Sequence, residues 1–173
     1  GTIVRLEPLT PAHETEIEAA SNDPRIWAHT AFAKTPRDYV ATALIANEMG
    51  EQVPFVVRRL SDGKVVGMSR LFEIDPQHKR CEIGYTWYIP EEWGTKVNPE
   101  TKLLLMTHCF ETWGAHRVQF KTDHVNLRSQ AAIAKLGAVK EGVLRAHMIR
   151  PDGTQRYSVI YSVTDEEWPE VKA

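Results

Sequence analysis

Ile83-Gly84-Tyr85-Thr86-Trp87-Tyr88-Ile89-Pro90-Glu91-Glu92-Trp93-Gly94-Thr95-Lys96-Val97-Asn98-Pro99-Glu100 reads as a strand, a tight loop and the start of a helix. Asn98 is a candidate cap for the free backbone N–H groups, Pro99 suits the first helical position, and Glu100 opposes the helix dipole. Free N–H groups and the positive end of a dipole make an anion site, and Lys96 and Lys102 add positive charge beside it. A plain strand-to-helix connection accounts for the same local pattern.

Working outward, residues 103, 106, 110 and 113 (Leu, Met, Phe, Trp) give that helix an apolar face, and Gly114 ends it. Upstream, two strands over residues 55–60 and 65–74 flank Ser61-Asp62-Gly63-Lys64, a hairpin signal, and a third spans 81–89. A first strand at 2–8 and helices at 12–21 and 36–49 precede them. Downstream, a strand at 117–122 leads into a helix capped by Asn126 and closed by Gly137, and strands at 139–148 and 155–163 form a last hairpin. The order βαα-βββ-α-β-α-ββ predicts an α/β (α+β) domain over residues 1–173, with a mixed, mostly antiparallel sheet of about seven strands and flanking helices. Strict βα alternation, the mark of a doubly wound nucleotide fold, is absent.

Composition narrows the function classes. Lys+Arg 21 against Asp+Glu 23 gives a net charge of -2 without a basic block, which argues against bulk nucleic-acid binding. No apolar run approaches the length of a membrane span. Two isolated cysteines, Cys81 and Cys109, read as buried thiols of a reducing compartment, and the N-terminus enters a strand pattern without signal-peptide architecture; the expected location is cytoplasmic. The seven histidines show no metal-ligand spacing, so no metal is expected. Trp168, in an acidic tail, is a candidate exposed contact for a partner or a homodimer.

The second informative stretch is Phe120-Lys121-Thr122-Asp123-His124-Val125-Asn126-Leu127-Arg128-Ser129-Gln130, closed by Ala134-Lys135-Leu136-Gly137-Ala138. Together with Glu82-Ile83-Gly84-Tyr85 and Pro90-Glu91-Glu92-Trp93-Gly94, in this order, it resembles the GNAT superfamily of acyl-CoA-dependent N-acetyltransferases, most of all the RimJ/RimL type that includes ribosomal-protein N-terminal acetyltransferases. The resemblance covers essentially the whole chain. It implies acetyl-CoA as acyl-donor cosubstrate. It also implies that the strand before the glycine loop splays from its neighbour, with Trp87, Tyr88 and Ile89 presenting backbone to pantetheine. Trp93, Gly94, Thr95, Lys96, Val97 and Asn98 would hold the pyrophosphate, Asn126 the cofactor arm, and Ser129 would lie near the sulfur. Lys135 or Arg128 would meet the nucleotide phosphates, although an exposed helical cation is the plainer reading of each.

Two positions depart from the family pattern. Lys96 stands where a second loop glycine is usual, with Asn98 where a small residue follows, which puts the phosphate geometry in question. Ile133 stands where many relatives carry a tyrosine acid and has no proton to give. Acetyl transfer to an amine needs an uncharged nucleophile, oxyanion stabilisation and a proton for the thiolate. Glu82, acting through water, is the candidate base, or else an outward charge on an alternating strand; Glu73 and Asp75 are weaker candidates at a turn. Ser129 is the candidate group at the thiolate, and backbone N–H groups near Trp87 would polarise the thioester carbonyl. Trp27 and Phe32 suit an acceptor lid, and Tyr85 an acceptor wall or the core. The expected activity moves acetyl from acetyl-CoA to a primary amine (a protein N-terminus, an amino-acid conjugate or a small amine) in a ternary complex. The alternatives are a non-catalytic acyl-CoA-binding domain and a partner-binding α/β domain.

Overall fold

A computed structural model describes residues 1–28 and 35–173. The strands are β1 (Val4–Pro8), β2 (Gln52–Arg59), β3 (Val65–Asp75), β4 (Arg80–Tyr88), β5 (Arg117–Asp123), β6 (Val139–Ile149) and β7 (Gln155–Thr164). The helices are α1 (Glu14–Ala20), α2 (Pro36–Glu48), α3 (Val97–Thr107), α4 (Leu127–Lys135) and α5 (Trp168–Lys172). The strands form one sheet in the order β1-β2-β3-β4-β5-β7-β6. Every pairing is antiparallel except β4 with β5, because α3 carries the chain across between them. The expected order is therefore present, with α5 as an addition.

Helices cover both faces of the middle of the sheet. Ile17 of α1 and Tyr39, Val40 and Ala43 of α2 pack on Val56, Met68 and Trp87. On the other side Leu105 and Met106 of α3 and Ile133 of α4 meet Ile83, Val118, Phe120, Val159 and Tyr161. Cys81 and Cys109 are buried in this second cluster as free thiols, their sulfurs 3.6 Å apart.

Three local expectations change. Helix α3 starts at Val97, two residues earlier than the cap reading of Asn98 requires, and Asn98 lies inside its first turn. The Val97 N–H is met instead by the Thr95 hydroxyl at 3.2 Å. Glu100 stands in the first turn as expected, and its carboxylate also accepts the backbone N–H groups of Thr2, Ile3 and Val4 at 2.6–2.7 Å, tying the first strand to α3. Burial raises its pKa, but these donors outweigh that and bring it down to about 2. The buried face of α3 holds Thr101, Lys102, Leu105 and Met106, while Leu103 is exposed. A π-turn over His108–Thr112 then brings Cys109 and Phe110 inward. Finally, Trp168 is not exposed: its ring stacks on Phe110 with centroids 5.1 Å apart, and its Nε1–H donates to Glu111. The tail tryptophan is core, so it offers no contact to a partner.

Candidate active site

The site begins where the sheet comes apart. β4 and β5 pair only over Arg80–Glu82 against Arg117–Gln119; beyond that both strands continue, unpaired with each other, to Tyr88 and Asp123. A bulge in β4 contributes to the divergence. Met68 of β3 faces Trp87, yet Arg70, two residues on, faces Gly84, so β4 carries one extra residue. Tyr85 sits in the bulge at φ 50°, a left-handed conformation that non-glycine residues seldom take.

Neighbouring groups hold that bulge. The Arg70 guanidinium is buried between the rings of Tyr39 and Tyr85, 4.1 and 4.5 Å from their centroids. Its nitrogens donate to Gln52 Oε1 and the Tyr39 carbonyl, and the Tyr39 hydroxyl donates to the Tyr85 carbonyl. Burial raises the Tyr39 phenol to about 12, so it stays protonated as that donor.

The wedge opens into a pocket of about 670 Å³. One wall is Gly84 to Tyr88 of β4, and the other is Phe120 to Asp123 of β5 with the start of α4. Trp93, Gly94, Thr95, Lys96 and Asn98 line its mouth. Across that mouth, the Arg128 guanidinium lies 3.6 Å from the Trp93 ring centroid, and Trp93 Nε1–H donates to the Tyr88 carbonyl.

The loop fits a pyrophosphate. Among the described residues the N–H groups of Gly94 and Lys96 meet no acceptor. Gly94 has φ +80° with nothing within 4 Å of where a Cβ would stand. Lys96 has φ −79° and ψ −3°, so this position takes a side chain without strain and leaves the ammonium exposed. Glu92, which sequence reasoning did not single out, anchors the loop from below: it pairs with Arg59 and accepts the Thr95 hydroxyl at 2.9 Å.

Most of the expected site residues meet here. Trp87, Tyr88, Trp93, Gly94, Thr95, Lys96, Asn98, Asn126, Ser129, Lys135 and Tyr85 all line the one pocket. Asn126 accepts the Ser129 N–H at 3.1 Å, so the cap is real, and the Ser129 hydroxyl has no hydrogen-bond partner among the described residues. Ile133 is buried against the pocket and brings no polar atom.

Others lie elsewhere. Val97 is buried among Val4, Val57, Val66 and Tyr88, and Ile89 commits its N–H to Val66; neither lines the pocket. Trp27 packs on Tyr39 and Trp87 behind the wall instead of facing it. Phe32 lies outside the described residues.

Two charged residues differ from their local reading. Glu82 is buried, not outward: its carboxylate accepts Gln119 Nε2–H at 2.8 Å and Lys121 Nζ at 3.3 Å, just below the pocket wall. Lys102 lines the same pocket as the loop, but as a buried amine and not a surface cation. It runs inward under β4 and donates to Ser69 Oγ at 3.0 Å and Thr86 Oγ1 at 2.5 Å, and burial lowers its pKa to about 7. The signal for it was available: Ser69 and Arg70 interrupt the otherwise apolar first eight residues of β3, and buried polar groups require partners.

Comparison with known proteins bears directly on this arrangement. A family model described as an acetyltransferase (GNAT) domain matches residues 4–139. The chain belongs to the GNAT acetyltransferase family. Among curated relatives it is 29% identical over 107 residues to the uncharacterized N-acetyltransferase YoaA of Bacillus subtilis (strain 168), a match covering 62% of this chain and 59% of that one. Among solved structures, a GCN5-related N-acetyltransferase from Brucella melitensis is 30% identical with a TM-score of 0.91, covering 99% of this chain and 80% of that one. Mycobacterium smegmatis RimJ, solved with CoA-disulfide, shares the fold at 20% identity and a TM-score of 0.80, covering 96% and 84%. The acyl donor of the GNAT family is acetyl-CoA. The mixed, mostly antiparallel seven-stranded sheet found here is consistent with the fold of that family. No helix among the described residues is long and apolar enough to cross a membrane.

Proposed function

We propose that this GNAT chain transfers acetyl from acetyl-CoA to a primary amine by direct attack in a ternary complex. The observation that carries the reading is the β4–β5 wedge, which opens between an unobstructed loop at the start of α3 and the capped start of α4. Bound acetyl-CoA supplies the acetyl group as an activated thioester. The Gly94 and Lys96 N–H groups and the Lys96 ammonium bind the pyrophosphate, while Arg128 and Lys135 face the nucleotide end. The backbone of Trp87 and Tyr88, unpaired on the β5 side, holds the pantetheine arm and polarises the carbonyl. Asn126 orients the arm, and Ser129 donates its free hydroxyl to the departing sulfur. Glu82 receives the amine proton through water.

Lys102 supports that backbone by holding Thr86 from behind. The acceptor is a protein N-terminus, an amino-acid conjugate or a small amine. The setting is cytoplasmic, where free thiols such as Cys81 and Cys109 stay reduced. Ile133, apolar at the position of the usual acid, favours a second reading: an acyl-CoA-binding domain without turnover.

Thermal unfolding with acetyl-CoA, against adenosine and phosphate as controls, tests the first step. Ligand at about 100 times its Kd adds roughly 2.7 kcal/mol, a rise of roughly 5–11 °C for a chain near this size. No shift at millimolar acetyl-CoA overturns the reading. A shift without thiol release from any amine selects the binding domain.

A further inference from the structure

Beyond the donor site, the pocket contains a cation without an ion-pair partner among the described residues. Arg156, on β7, lines the pocket and is only 6% exposed. Its Nε is buried with no hydrogen-bond partner, and its guanidinium makes no ion pair among the described residues. Burying an unpaired charge costs several kcal/mol, so a guanidinium in this state is normally completed by an anion.

Nearby carboxylates do not complete it. Asp123 is engaged by Arg150 in a two-pronged pair at 2.7 and 2.9 Å and also accepts the Val125 N–H. Glu82 is engaged by Gln119 and Lys121. Lys121 lines the same pocket but is paired with Glu82, which leaves Arg156 as the cation at this end without an ion pair among the described residues. Arg156 stands on the β7 side, across the divided sheet from the loop at the start of α3.

We propose that Arg156 is the acceptor-recognition residue and that the acceptor is an amine carrying a carboxylate, which the guanidinium receives as a two-pronged pair. This rests on the acetyl-transfer reading and names the substrate class for it. Arginine matches a carboxylate with two parallel N–H···O bonds, which fixes orientation as well as charge. The cationic surroundings also disfavour protonation of a nearby amine, which must be neutral to attack. A polyamine would bring further positive charge against Arg156 and Lys121, and this site rejects it.

The test compares amines in pairs that differ only in the carboxylate: glycine with glycinamide, phenylalanine with phenethylamine, lysine with cadaverine. Thiol release from acetyl-CoA is measured with the wild type, Arg156→Gln and Arg156→Lys. The carboxylate member of at least one pair is expected to have a kcat/KM tenfold or more above its partner. Arg156→Gln abolishes that preference through KM for the acceptor, leaves KM for acetyl-CoA within twofold, and leaves Tm unchanged or raised. Arg156→Lys keeps part of the preference. Equal rates within every pair, a preference for the uncharged or polycationic member, or a preference that survives Arg156→Gln overturns the proposal. A large loss of Tm in both variants also overturns it, because Arg156 is then structural.

Should no amine turn over, calorimetry with CoA and N-acetylglycine against N-acetylglycinamide decides. Binding of the acid alone, lost in Arg156→Gln, supports the proposal, and no difference between the two overturns it. Failure of the acetyl-transfer reading is separately visible in the wild type as the absence of any acetyl-CoA thermal shift, or as a shift without thiol release from any amine.

Discussion

β3 and β6 are both eleven-residue strands, yet the first eight residues of β3 are buried and β6 has no buried residue at all. β3 lies in the middle of the sheet under helices on both sides, whereas β6 is an edge strand paired only with β7. The first half of the sheet is therefore built as a core. The second half has one apolar face, formed by Val159, Tyr161 and Val163, and an opposite face that carries the polar side chains of Lys121, Arg156, Ser158 and Ser162, the last three of them buried. The pocket sits on the seam between them. The first half supplies the backbone geometry of the bulge, and the second half brings charged side chains to the pocket.

The largest effect expected from breaking this contrast lies at Gly67 on β3. A Cβ there would stand 2.3 Å from the Trp87 carbonyl oxygen, a backbone atom that cannot yield. Gly67→Ala should cost about 3 kcal/mol and lower Tm by roughly 10 °C, as measured by thermal unfolding.

Next comes Lys102, the buried amine between the β3 and β4 hydroxyls. Its pKa falls from 10.5 to about 7 on folding, so between those values the unfolded chain keeps a proton that the folded chain has released. Stability must then rise with pH across that window, by roughly 2 kcal/mol or more. Lys102→Met should flatten the rise in denaturant titrations run from pH 7 to pH 10; an unchanged slope would show that Lys102 does not titrate there.

Ser129→Ala touches the seam without touching either core. A loss of about tenfold in kcat is expected, larger than any rise in KM for acetyl-CoA, which amounts to roughly 1.4 kcal/mol of barrier. Steady-state kinetics with the acceptor saturating would show it, and an unchanged kcat would remove Ser129 from the chemistry. The smallest effect belongs to the open edge: Leu144→Thr on β6, where the leucine is 45% exposed, should move stability by less than about 0.5 kcal/mol. A larger loss would mean that β6 is covered by something in solution.

Much of this molecule was legible in residue patterns because the signals are local. The Asp62-Gly63 turn, the Asn126 cap and the strand-to-helix order each depend on residues a few positions apart, and all appear where the patterns put them. So does the resemblance carried by the Ile83–Glu100 and Phe120–Ala138 stretches, since a glycine loop before a helix is a contiguous feature. Local patterns misread Lys102 and Trp168, and missed the contacts of Glu100, for one shared reason. Each has a partner or a surrounding from a distant segment: Thr2 to Val4 for Glu100, Ser69 and Thr86 for Lys102, Phe110 and Glu111 for Trp168. Only the folded chain could bring Arg70 between Tyr39 and Tyr85, end the β4–β5 pairing at Glu82, or leave Arg156 in the pocket without an ion pair among the described residues. Sequence by itself determined which elements form and in what order, because propensity, capping and periodicity act over one or two turns. Tertiary structure decided which charges are buried and which remain unpaired, because desolvation depends on neighbours that are remote along the chain.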